Sequence, residues 1–234
     1  MLQTCDINAA YVRRLTQQAR CDYLVCAGYF ELLRPPLLAQ FELALNAHPS
    51  LLPRWRGPAP LFWALRCGAR QSGVSVHLMD GRFDHGPVVT QRPFVLPPRH
   101  SGAALFRLAG QLAGRLLADS LTRLAVGGPA ALHQVAQNEA AATLAPRPRP
   151  QDVALEPLAW DLEALLNFAC GAPFFRTPFL RLGDEMFFVR RGIDGVPGGQ
   201  LPGSHVLWGD SLLVPCRDGT ARLQVQTDKD VADP

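Results

Sequence analysis

Residues 44–60 read ALNAHPSLLPRWRGPAP, an apolar start that ends in an asparagine and a histidine two positions apart. Side chains at i and i+2 of a strand share a face, so Asn46 and His48 point to the same side of whatever sheet carries them. Ligands of open α/β sheets bind beyond the carboxyl ends of the strands, which is where this pair falls. Pro49 and Pro53 stiffen the backbone that follows, and Arg54, Arg56 and Gly57 come next. That order suits the rim of a site better than a purely structural segment.

Working outward, the neighbouring segments alternate in type. Upstream, INAAYVRRLTQQA (7–19) sets Ala10, Leu15 and Ala19 at helical spacing, while DYLVCAG (22–28) and FELALNAH (41–48) read as buried strands. Downstream, APLFWALRCG (59–68) predicts a helix closed by Gly68. GVSVHLMD (73–80) alternates Val74, Val76 and Leu78 against Ser75, His77 and Met79, and GPVVTQRPFVL (86–96) is a further strand. Residues 101–128 carry apolar side chains three and four apart between Ser101 and a Gly-Gly stop, a long helix. Strands interleaved with helices predict a layered α/β sheet.

The pattern changes near residue 138. NEAAATLAPRPRPQDVALEP (138–157) sets Pro146, Pro148 and Pro150 in alternation with arginine and predicts an extended linker. The boundaries are therefore a first domain over 1–137, a linker over 138–157 and a second domain over 158–234. Within the last, LAWDLEALLNFACG predicts a helix. Short β-like runs then follow, joined by turn residues such as Asp218-Gly219, and together they predict a small β-barrel.

The chain has 234 residues, 48% of them hydrophobic and 18% charged, enough for a real core. No apolar run approaches the about 18 residues of a membrane span, and the first residues lack the apolar centre of a signal peptide. Cys5, Cys21, Cys26, Cys67, Cys170 and Cys216 form no C-x-x-C pair, so reduced thiols and a cytoplasmic location are expected, with no metal. The net charge of +3 is uneven. Residues 1–144 hold 14 Lys+Arg against 8 Asp+Glu, and residues 145–234 hold 9 against 12, with Lys229 the only lysine.

An asparagine amide beside an imidazole can stabilise a developing oxyanion and move a proton. LMDGRFDHGPVV (78–89) adds Asp84 in a glycine-bounded loop just after a strand, able to orient the imidazole or take a proton from an amine. From the residues alone, other readings stay open. The Asn-x-His pair is equally a satisfied loop pair, the Asp-His-Gly run a turn, His77 a structural side chain, and Arg54 and Arg56 solvated.

LNAHPSLLPRWRGPAP followed by GVSVHLMDGRFDHGPVVTQ resembles the formyltransferase family that uses 10-formyltetrahydrofolate, closest in plan to methionyl-tRNA formyltransferase. The resemblance implies a doubly wound, Rossmann-like sheet with a small OB-like C-terminal β-barrel. It implies transfer of a formyl group to a primary amine, with Asn46, His48 and Asp84 catalytic. It sets the folate against Cys26, Ala27, Gly28, Tyr29, Phe30, Leu32 and Leu33, and against Met79, Asp80 and Phe83. Ser50, Leu51, Leu52, Pro53, Arg56 and Gly57 fall on the acceptor side. The family's opening strand-helix-strand-helix half precedes residue 1, so an N-terminally incomplete catalytic domain is expected. The acceptor is an aminoacyl-tRNA by architecture; the negative second domain favours an amino sugar or another small amine instead. A hydrolase releasing formate, and an impaired folate-binding or partner-binding remnant, are the remaining alternatives.

Overall fold

The computed structural model describes residues 6–227; Cys5 and Lys229 lie outside them. A four-stranded sheet carries the apolar runs of the first 95 residues. Helix α1 (Ala10–Ala19) ends on Arg20 in the left-handed conformation, and strand β1 (Tyr23–Ala27) follows. A short helix that the sequence reading passed over, α2 (Pro35–Leu38), has prolines at its first positions, where a missing N–H costs nothing. Strand β2 (Leu43–His48) pairs in parallel with β1 and places Asn46 opposite Cys26.

Helix α3 (Pro60–Arg66) leads to β3 (Gln71–Leu78), which runs antiparallel to β2 and sets His77 opposite Asn46 and Ser75 opposite His48. Strand β4 (Val88–Val95) completes the order β1-β2-β3-β4, so the sheet is mixed. Ser72 through His77 are all buried, which means the polar half of the alternation in β3 faces protein rather than solvent. The long helix α4 (Gly102–Gly127) starts as expected, with the Ser101 hydroxyl accepting from the Ala104 N–H at 3.2 Å.

The described chain divides into two compact units. The first takes the chain up to Pro60, Ser72–Phe94 and Ala109–Pro146; the second takes Leu61–Gln71, Val95–Leu108 and Arg147 onward. In the first unit, residues 143–145 are extended, but they are far from free. Arg56 N–H donates to the Thr143 carbonyl at 2.8 Å, Ala145 N–H to the Arg56 carbonyl at 2.7 Å, and Ala59 N–H to the Ala145 carbonyl at 3.0 Å. Proline removes its own donor, yet the non-proline amides around it still need partners and find them on residues 56–59.

The second unit holds α5 (Leu162–Gly171) and an antiparallel sheet of β5 (Phe179–Leu182), β6 (Glu185–Pro197), β7 (Val206–Trp208), β8 (Ser211–Cys216) and β9 (Gly219–Thr227). The strand order is β5-β6-β9-β8-β7, which leaves β5 and β7 as the edges. The 13-residue β6 shifts register between Val189 and Arg191 and again between Gly192 and Asp194, and such bulges bend a strand. Its core joins Leu165, Leu166, Phe187, Leu212 and Leu223 to Phe62 and Phe168, whose rings meet edge-to-face 5.6 Å apart.

Candidate active site

Cys26, Asn46 and His77 sit side by side on three adjacent strands. The loop after β3 brings Asp84 to this row. Its carboxylate is 10% exposed and collects four contacts. Oδ1 accepts from Asn46 Nδ2 at 3.0 Å and lies 3.2 Å from His77 Nε2; Oδ2 accepts from Gly57 N–H at 2.8 Å and lies 3.3 Å from His48 Nδ1. Asn46, His48 and Asp84 are thus brought together, as the sequence predicts.

The tautomers follow from the partners. A carbonyl only accepts, so His48 Nε2 carries the proton it gives to the Trp55 carbonyl at 2.8 Å, and Nδ1 faces Asp84. His77 likewise donates Nδ1–H to the Leu78 carbonyl at 2.7 Å, which frees Nε2 to accept from Asn46 Nδ2 at 3.1 Å. Trp55 and Asp84 both have positive φ, 58° and 49°, a conformation that costs a non-glycine residue energy and recurs where side chains are held for function.

Charge is arranged accordingly. Burial pushes the His48 imidazole below its ordinary 6.5, with Asp84 and the Trp55 carbonyl pulling the other way, so the ring is neutral at pH 7. Burial alone would raise the Asp84 carboxyl. The facing His48 and His77 imidazoles, in their protonated forms, and the Gly57 N–H outweigh it and hold the group at about 2. Burial, then the Asp84 charge, pushes the Cys26 thiol up to about 11, which leaves it an inert neighbour.

The residues expected on the acceptor side divide by exposure. Leu51 and Pro53 are half-buried, whereas Ser50, Leu52, Arg56 and Gly57 are buried. Ser50 Oγ donates to the Arg54 carbonyl at 2.6 Å. Arg56 turns its guanidinium inward, at 3.0 and 2.8 Å from Gln137 Oε1 and 3.0 and 2.7 Å from the Glu139 carboxylate. Of the residues assigned to the folate, Ala27, Gly28, Tyr29, Phe30, Asp80 and Phe83 are exposed and Cys26, Leu32 and Met79 are half-buried. Leu33 is buried. Exposed aromatic rings at the carboxyl end of β1 and beside Asp84 offer stacking surface to a flat ligand.

The sequence reading missed His77 and Ser75 as members of the site. Ser75 Oγ donates to the Ser50 carbonyl at 2.6 Å and accepts from Leu52 N–H at 3.0 Å and Gln91 Nε2 at 2.8 Å, which pins the loop after His48. In the structure both belong to the alternate set of β3 that pairs across with Asn46 and His48. Among the described residues no three His, Cys, Asp or Glu side chains are grouped to hold a metal ion, and no helix is long and apolar enough to cross a membrane. A separate cavity of about 440 Å³ in the second unit is lined by Arg66, Cys67, Trp160, Asp161 and Arg217 among others; there Arg66 lies 4.6 Å over Trp160 and Arg217 pairs with Asp161.

Comparison with known proteins agrees with this geometry. The model of the formyl transferase family matches residues 6–107. A methionyl-tRNA formyltransferase of Anaeromyxobacter dehalogenans (strain 2CP-C) is 34% identical over 206 residues, covering 86% of this chain; the chain spans 65% of that relative's length. Among solved structures, a methionyl-tRNA formyltransferase from Clostridium thermocellum aligns over 97% of this chain and 86% of its own, at 15% identity and a TM-score of 0.65. HypX from Aquifex aeolicus, solved in complex with tetrahydrofolic acid, aligns over 90% of this chain and 37% of its own, at 16% identity and a TM-score of 0.68. A Rossmann-like α/β sheet with its polar cluster at the strand ends, a family match through that cluster and a one-third-identical relative along most of the sequence together make this chain similar to the formyl transferase family.

Proposed function

We propose that the chain moves a formyl group from 10-formyltetrahydrofolate to a primary amine, with an aminoacyl-tRNA as the first acceptor to test. The reading rests on one observation above all, the convergence of Asn46, His48 and His77 on the buried Asp84 carboxylate. The amine nitrogen attacks the formyl carbon, a new C–N bond forms and the formyl oxygen gains charge. Asn46 gives that oxygen one of the hydrogens now shared with His77 and Asp84, and His48 adds to its stabilisation once Nδ1 has taken up the amine's proton. The proton lost by the amine passes to Nδ1 of His48, beside Asp84, and leaves with the folate nitrogen when the old C–N bond breaks. No metal takes part in this step.

In the same reading the folate rests on residues 26–33 and on Met79, Asp80 and Phe83. Ser50, Leu51, Leu52 and Pro53 shape the acceptor side, and Gly57 holds Asp84. The catalytic domain covers 1–137, a linker 138–157, and a C-terminal domain 158–234; the bulged β6 supports a barrel-like, OB-like form for the last. The protein works in the cytoplasm and off the membrane. The −3 balance of residues 145–234 favours a second acceptor class, a small amine such as an amino sugar.

The experiment is turnover of 10-formyltetrahydrofolate alone, then with charged tRNA and with amino sugars. Tetrahydrofolate release that depends on one acceptor supports transfer and names the acceptor class. Release with water alone makes the protein a hydrolase, and absence of binding makes it a remnant; either outcome overturns the proposal.

A further inference from the structure

Asp84 takes a left-handed φ of 49° in the loop after β3, and that loop is tied down from outside by hydrogen bonds. The hold comes from residues 135–139, beyond helix α4. Val135 exchanges backbone hydrogen bonds with Val88 at 2.8 and 2.9 Å, which brings the segment alongside β4. Two positions on, Gln137 Nε2 donates to the Asp84 carbonyl at 2.8 Å and to the Gly86 carbonyl at 2.7 Å. Its Oε1 accepts from Nε and Nη2 of Arg56 at 3.0 and 2.8 Å. The residue after Arg56, Gly57, donates its N–H to Asp84 Oδ2. Asp84 is therefore gripped twice by one connected unit, at its carbonyl through Gln137 and at its carboxylate through the backbone next to Arg56. Glu139 closes the unit from the far side of the guanidinium.

Every hydrogen-bonding capacity of the Gln137 amide is spent in this way: both hydrogens on the Asp84 loop, and the oxygen on Arg56. Glutamine is the side chain that can do both, because a carboxylate would meet two carbonyls and a hydrocarbon would meet none of its three partners. We propose that Gln137, backed by Arg56 and Glu139, is a positioning residue that fixes Asp84 against His48 and His77. The proposal rests on the assignment of Asp84 to the reaction given above, and it extends the site to a segment on the far side of α4.

Two variants of the full chain test it. Gln137→Leu removes all three contacts, while Gln137→Glu keeps an acceptor for Arg56 and deletes only the donors to the Asp84 loop. Both are expected to lower kcat about 10–100-fold, the usual cost of a lost support for a catalytic group, with KM for the folate within about twofold. The second readout needs no turnover: titration of the His48 ring followed by NMR. The titratable groups facing His48 are Asp84 and His77, and of these Asp84 is the one that raises it. Displacing Asp84 moves the His48 midpoint to lower pH in both variants. If Gln137→Glu folds with wild-type kcat and an unmoved His48 midpoint, Gln137 only ties its segment to Arg56 and the proposal is overturned. If wild-type protein fails to turn over folate while the His48 midpoint still moves, it is the assigned reaction that fails and the positioning stands.

Discussion

Replacing Asp84 by asparagine tests the centre of the site, and the structure sets the size of the effect. The carboxylate meets donors on both oxygens, Asn46 Nδ2 on one and Gly57 N–H on the other. An amide can accept on only one side. Whichever way Asp84→Asn turns, its NH2 confronts a donor, and one buried donor loses its acceptor at a cost of about 1–3 kcal/mol. The charge adds a pH signature. The carboxyl is held at about 2 against an ordinary 3.8, a difference of roughly 2 kcal/mol in favour of the folded, ionised state. A depressed folded value means that this stability is fully present above pH 3.8 and is lost as the pH falls through about 2. Between pH 5 and pH 3 the wild type should lose roughly 1 kcal/mol from this group that Asp84→Asn does not lose. Urea unfolding at both pH values reads the narrowing gap, and acceptor-dependent tetrahydrofolate release reads a fall of about 10²–10⁴ in kcat from the lost proton handling. A stability gap that stays constant with pH, or a variant with wild-type turnover, would refute the placement of charge at the centre.

His48→Ala should abolish transfer, with a loss of about 10²–10³ or more in kcat, while folate binding measured by fluorescence quenching stays near wild type; retained turnover would sink the role given to the imidazole. Because burial lowers the His48 value, neutral His48 contributes stability above pH 6.5 that drains away as the pH falls through its lowered folded value, and His48→Ala should flatten that part of a Tm-against-pH curve. Gly57→Ala sets a Cβ 2.9 Å from the Ala145 carbonyl oxygen at a φ of 116°, so it should cost about 1–3 kcal/mol and pull the N–H off Asp84; a variant with wild-type Tm and kcat would show that this backbone contact is dispensable.

Much of the fold was legible because its signals are local. The alternation in residues 73–80 and the three-four spacing after Ser101 mark β3 and α4 within a residue or two, and Asp218-Gly219 marks the turn into β9. Helix α2 was not legible, since four residues beginning with two prolines show no period. The antiparallel sense of β3 was hidden too, because strand direction depends on how the chain returns rather than on the strand itself. At the site, Asn46, His48 and Asp84 could be picked out by type and spacing. Ser75 and His77 could not be separated from an ordinary polar face, because their burial comes from the packing around β3. Gln137 lies 53 residues from Asp84, beyond the reach of any spacing argument.

The second unit is assembled from three stretches that emerge at very different moments of synthesis. Leu61, Phe62 and Leu65, all 5% exposed or less in the fold, leave the ribosome about a hundred residues before Phe168 can cover Phe62. At translation rates of 5–20 residues per second those side chains wait roughly 5–20 s without their partners. A nascent chain of this protein therefore displays a greasy helix early and must be kept from sticking until its last third is made. Rare codons or a stalled ribosome before residue 168 would prolong that exposure and send more of the product into aggregates, whereas slowing after that point would not.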